Sequence, residues 1–128
     1  MAPSTSLSPT ETCYWIEIEI VYDDYPSDIF WRLEREGDDW IETIKEHQAS
    51  NGDTSHVESF CLQEGSYWFS IRNIGGGAQG ICCVRGQGHY NVTAPDGTLI
   101  VEGGHWIGLW EQTFFSIPFV PGTSMTIN

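Results

Sequence analysis

Cys61-Leu62-Gln63-Glu64-Gly65-Ser66-Tyr67-Trp68-Phe69-Ser70-Ile71 leads through the glycine loop Gly75-Gly76-Gly77 to Gly80-Ile81-Cys82-Cys83 and Gly86-Gln87-Gly88-His89-Tyr90. Tyr67, Phe69 and Ile71 alternate with Trp68 and Ser70, the period of two that marks a half-buried strand. Three of the four cysteines flank this one strand, and none stands at the Cys/His spacing of a metal site. Such an arrangement predicts a disulfide-stapled, all-β domain of the extracellular type.

Working outward, the same alternation recurs. Ile16, Ile18 and Ile20 alternate with Glu17 and Glu19, and Ile29, Trp31 and Leu33 with Phe30, Arg32 and Glu34. The turn segment 23–28 separates these two runs, and Gly37-Asp38-Asp39 ends the second. Further strands are expected at Trp40 to Ile44, Val57 to Leu62, Ser66 to Arg72 and Glu111 to Phe119. His89 to Thr93 and Leu99 to Glu102 should form a hairpin across Pro95-Asp96-Gly97. The loop from Gly75 to Gly88 is too rich in glycine for a helix. No run sustains a 3.6-residue apolar period. The expectation is a disulfide-stapled antiparallel β-sandwich, jelly-roll-like, of about eight strands. Residues 1–12 read as a Ser/Thr/Pro-rich leader, 13–120 as the sandwich, and 121–128 as a C-terminal tail.

The chain has 128 residues, five basic and eighteen acidic, for a formal net charge of −13. Phosphate recognition needs clustered Lys and Arg, so nucleic acid is excluded as a partner, and anionic membrane surfaces with it. No run approaches the ~18 apolar residues of a membrane helix. Residues Met1 to Thr10 lack the apolar segment of a signal peptide. A secretion signal is therefore expected to have been removed or to lie upstream.

The order Cys61-Leu62, Gly65, Tyr67, Phe69, Ile71, Gly80-Ile81-Cys82-Cys83, Gly86, Gly88, Tyr90, Gly103-Gly104, Glu111 and Phe115 resembles a family of cysteine-containing β-sandwich modules. These modules occur singly or repeated in secreted and cell-surface proteins of bacteria and microalgae. Trp31 and Leu33 after the Tyr25-Pro26 turn extend the resemblance to residues 13–119. It implies a non-catalytic accessory, adhesive or structural unit. The family's loop before the paired cysteines is often acidic and suggests calcium. Here segment 73–80 carries no carboxylate, and a hard cation needs several charged oxygens. No cofactor or metal is expected.

A bridge between neighbours Cys82 and Cys83 would force a strained ring. Setting it aside leaves two of the three connectivities, in which Cys61 takes one of the pair and Cys13 the other. His47, His56, His89 and His105 are spread along the chain without a nucleophile-elbow motif, so no catalytic triad is expected. The acid pairs Asp23-Asp24 and Asp38-Asp39 sit in turns, where Asp is common for conformational reasons. Six tryptophans exceed what one core of this size hides comfortably. Trp40, Trp106 and Trp110, beside turns, are the candidates for an interface or for stacking on glycans. Asn91-Val92-Thr93 is an N-glycosylation sequon.

The function expected is a non-catalytic extracellular structural or adhesive module. Its concrete form is head-to-tail self-assembly into a surface fibre, with the leader or the tail adding to a neighbour's sheet edge. The alternative is a carbohydrate-binding module with an aromatic platform.

Overall fold

The computed structural model describes residues 12–74, 80–82, 86–106 and 108–127. Among these, nine strands form two antiparallel sheets. They are β1 (Tyr14–Val21), β2 (Ile29–Glu36), β3 (Ile41–Gln48), β4 (Ser55–Leu62), β5 (Gly65–Asn73), β6 (His89–Thr93), β7 (Leu99–Gly103), β8 (Trp110–Ile117) and β9 (Met125–Ile127). One sheet has the order β4-β1-β6-β7 and the other β3-β2-β5-β8-β9. The chain crosses between sheets after β1, β3, β4, β5 and β7. These crossings give the sandwich its jelly-roll-like character.

Alternation drives this assembly. Ile16, Ile18 and Ile20 of β1 face Trp31 and Leu33 of β2, Phe69 and Ile71 of β5, and Phe115 of β8 across one buried core. Each such side chain contributes roughly 1.5–3 kcal/mol when fully buried. A line of aromatic contacts runs through it: Trp31–Phe69 at 6.1 Å, Phe69–Tyr90 at 5.4 Å, then Tyr90–Trp106 at 6.4 Å, edge to face. One buried polar link joins the sheets, where the Tyr90 hydroxyl of β6 donates to Glu111 Oε1 of β8. Burial, then this bond to a carboxylate, pushes the Tyr90 phenol far above its ordinary range.

Three expectations need correction. Cys13 and Cys61 bond to each other, with Cα atoms 5.3 Å apart. Antiparallel pairing of β1 with β4 sets Trp15 against Cys61, which brings Cys13 diagonally beside it. Cys82 is disulfide-bonded too, and Cys83 lies outside the described residues. A Cys13–Cys61 bond belongs to the one connectivity that the vicinal argument sets aside. Trp106, expected beside a turn and available for contact, is only 1% exposed. Gly80 makes room for it: a Cβ there would meet Trp106 Cε3 at 2.8 Å and Gly104 O at 2.4 Å, and its φ of +76° is one L side chains avoid.

The third correction concerns the tail. Residues 125–127 are not outside the sandwich. They pair with β8 through Gln112↔Ile127, Thr113↔Thr126 and Phe114↔Met125, and the Thr113 and Thr126 hydroxyls meet at 2.9 Å. The tail covers an edge of its own sheet. The leader lies outside the described residues, apart from Thr12.

Candidate functional site

β3 and β4 are edge strands of opposite sheets, joined through Asn51-Gly52 and not hydrogen-bonded to each other. Side chains close the seam between them. His47 and His56 bring their rings to 4.5 Å, and both lie against Trp31, at 5.8 and 5.3 Å. One step further from the turn, Lys45 Nζ reaches Glu58 Oε2 at 3.6 Å, while His56 Nε2 meets Glu58 Oε1 at 2.9 Å. Partial burial, then the neighbouring His56 and Lys45, lower the His47 pKa, with Asp53 and Glu58 opposing. The histidines therefore do not stay apart as the sequence suggests. Their equal spacing about Asn51-Gly52 is the signal that could have found them.

Beyond Lys45 the seam opens. The register of β3 on β2 shifts between Leu33 and Glu34: Lys45 pairs Leu33, Thr43 pairs Glu34, and Ile44 is the extra residue. This bulge moves the inward phase from His47 and Lys45 to Glu42. Glu42 then faces Arg35, which is also the partner of Tyr67 on β5. The result is a cleft of about 300 Å³ with Ile44, Phe60 and Tyr67 on its walls and Trp15 at its rim. Arg35 donates Nη1 to Gln63 Oε1 and Nη2 to the Glu64 carbonyl, both at 3.0 Å. The Tyr67 hydroxyl donates to the Gln63 carbonyl at 2.6 Å. Burial pushes that phenol up, with Arg35 lowering it and Glu42 raising it. Glu42 Oε1 is buried with no hydrogen-bond partner among the described residues. A second depression, of about 370 Å³, shares Arg35 and Gln63 and reaches Tyr14 and Glu64.

The two outer faces differ. On the five-stranded sheet, cross-strand rows read Phe30-Arg72-Trp110, Arg32-Ser70-Gln112-Ile127 and Glu34-Trp68-Phe114-Met125. Trp68 and Phe114 pack at 4.9 Å, and Trp110, Met125 and Ile127 are exposed. On the four-stranded sheet, Glu17, Glu19 and Glu102 stand beside Asn91 and Thr93, and the strand positions on this face hold no Lys or Arg. Asn91 is half-buried, with Nδ2 3.5 Å from Glu19 Oε1.

The three tryptophans do not form one platform. Trp106 is in the core. Trp40 caps the β2–β3 turn, its carbonyl accepting from Gly37 N–H at 2.8 Å and its ring 5.8 Å from the Arg35 guanidinium. Trp110 lies at the opposite end of the five-stranded sheet. The sequence reading missed Trp15, 58% exposed, and Trp68.

In the Asp23-Asp24 turn a carboxylate holds the backbone, as Asp commonly does in turns. Asp23 Oδ1 accepts from Tyr25 N–H at 2.9 Å, and no group of three metal-ligating side chains occurs among the described residues. Residues 75–79 of the loop read as unsuited to calcium lie outside the described residues. The Asn73 amide donates to Gly80 O at 2.6 Å across the loop's base. No described helix is long and apolar enough to cross a membrane. The disulfide fits an oxidising, extracellular-type environment. Searches against protein-family models, curated proteins and solved structures found no match to this chain.

Proposed function

We propose that the chain is a non-catalytic extracellular adhesive or structural module that self-associates by stacking unlike sheet faces. The observation that carries this reading is the outer face of the five-stranded sheet. There, exposed Trp110, Met125 and Ile127 continue the Trp68–Phe114 pair on a surface that also holds Arg32 and Arg72. The opposite face offers Glu17, Glu19 and Glu102. Arg32 and Arg72 share this aromatic face with Glu34, Glu36 and Glu46, so it offers the acidic face of a second copy two cations and an apolar surface that the acidic face itself lacks. A contact between unlike faces does not close, so it propagates as a filament. A glycan on Asn91 would stand on the acidic face, so modification there and stacking exclude each other.

The test is light scattering and electron microscopy of the full, unglycosylated chain over a range of concentrations. Open-ended oligomers that lengthen with concentration are expected. Trp110→Ala with Phe114→Ser, or Glu17→Lys with Glu19→Lys, should return monomers of unchanged fold. A chain monomeric at millimolar concentration, or a closed dimer, overturns the reading. Loss of assembly on deleting residues 1–12, with both faces intact, would transfer the role to strand donation by the leader.

A further inference from the structure

The geometry points to the β3/β4 cleft as a binding site for a neutral saccharide, a site that does not depend on self-association. Its size is right for one sugar ring, and the second depression sharing Arg35 and Gln63 gives room for the next. The lining has the mixed character that a pyranose needs. Trp15 offers an exposed ring at the rim for the C–H face of a sugar, while Ile44 and Phe60 supply apolar wall. Glu42 sets the polar requirement. Its buried Oε1 has no partner among the described residues, so a ligand that donates a hydrogen bond there satisfies a group the fold leaves unsatisfied.

The same residues select against charged ligands. Arg35 is the one cation on the lining; Glu42 is its cross-strand partner, and two of its five N–H donors are committed to Gln63 Oε1 and the Glu64 carbonyl. An anion reaching for the other donors would meet the Glu42 carboxylate beside them. A net charge of −13 repels anions further. For a zwitterion such as a free amino acid, Glu42 would take the ammonium, but the same carboxylate beside Arg35 disfavours the ligand's own carboxylate. Hydroxyl groups both donate to Glu42 and accept from the remaining Arg35 N–H groups, without needing a countercharge. The bulge at Ile44 is what builds the site, since it turns Glu42 inward beside Arg35.

The test uses the full chain on a panel of immobilised neutral glycans, followed by amide-shift titration with the soluble glycans retained. The expected result is saturable binding of at least one neutral glycan at millimolar concentration. Shifts should centre on Arg35, Glu42 and segment 59–63. Glu42→Gln should weaken binding about tenfold through loss of a charge-assisted hydrogen bond. Trp15→Ala, at an exposed position that leaves the fold intact, should weaken it by a similar factor through lost stacking. Retention of no neutral glycan overturns the proposal. So does preference for acidic or basic glycans, or a shift map centred on Trp68 and Trp110. Self-association is measured separately and can fail or succeed without changing these outcomes.

Discussion

His47 and His56 stand equally far from the Asn51-Gly52 turn and meet ring to ring at 4.5 Å, although their strands belong to different sheets. The same spacing gives the Lys45–Glu58 ion pair. A hairpin-like approach of two edges thus exists without backbone pairing, held only by side chains.

For His47 the neutral form is the one the fold favours, so its folded pKa lies below the unfolded value of about 6.5. Stability from this group is present above that unfolded value and is lost as pH falls toward the folded pKa. Lys45 and His56 make its protonation harder, while Asp53 and Glu58 ease it. Melting temperature should therefore drop between about pH 7 and pH 5, and His47→Gln should flatten the slope. An unchanged slope in that variant would count against this account.

Tyr90→Phe should destabilise the fold by about 1–3 kcal/mol, because the buried Glu111 carboxylate loses the Tyr90 hydroxyl as a donor. Glu111→Gln in the Tyr90→Phe background should restore part of the loss, since a neutral amide is cheaper to bury. Denaturant unfolding of the two single variants and the double variant measures the coupling. Strict additivity would mean that the bond contributes nothing.

Replacing Cys13 and Cys61 with serine should cost about 4 kcal/mol on the chain-entropy estimate for a loop of this length. Non-reducing peptide mapping should recover a fragment joining these two cysteines. A fragment joining either of them to the Cys82-Cys83 segment would refute the pairing.

Truncation after Pro118 should remove β9 and leave one edge of β8 bare. Three paired residues and the Thr113–Thr126 bond are lost, so stability should fall by roughly 1–2 kcal/mol. The exposed edge should also raise the tendency to aggregate. Unfolding curves and light scattering of the truncated chain test both effects.

Much of the fold is legible in alternation. Ile16-Ile18-Ile20, Ile29-Trp31-Leu33 and Tyr67-Phe69-Ile71 are inward where the period of two puts them, because each meets apolar partners on both sides. The end of β3 is less legible. The expected strand stops at Ile44 and the polar run from His47 to Thr54 reads as a loop, but β3 continues to Gln48 because Lys45 and His47 find polar partners on β4 at an open seam instead of core. The terminal strand is short and wholly exposed, so no hydrophobic pattern announces it. Trp106 is buried by space that backbone glycines leave clear, which side-chain periodicity cannot register. The cleft depends on a single unpaired residue, Ile44, and on a carboxylate whose surroundings come from three strands.

The tethered strand β9 also sets a threshold for any strand that would replace it. Joined to β8 by the short segment 118–124, it competes at an effective concentration in the millimolar range. A free strand from another molecule must match that concentration, or bind more strongly per residue, before it can occupy the edge. Growth of an assembly through this edge is thereby held back in dilute solution without any permanent block. Where copies are crowded together on a surface the handicap falls, and the edge becomes open to exchange.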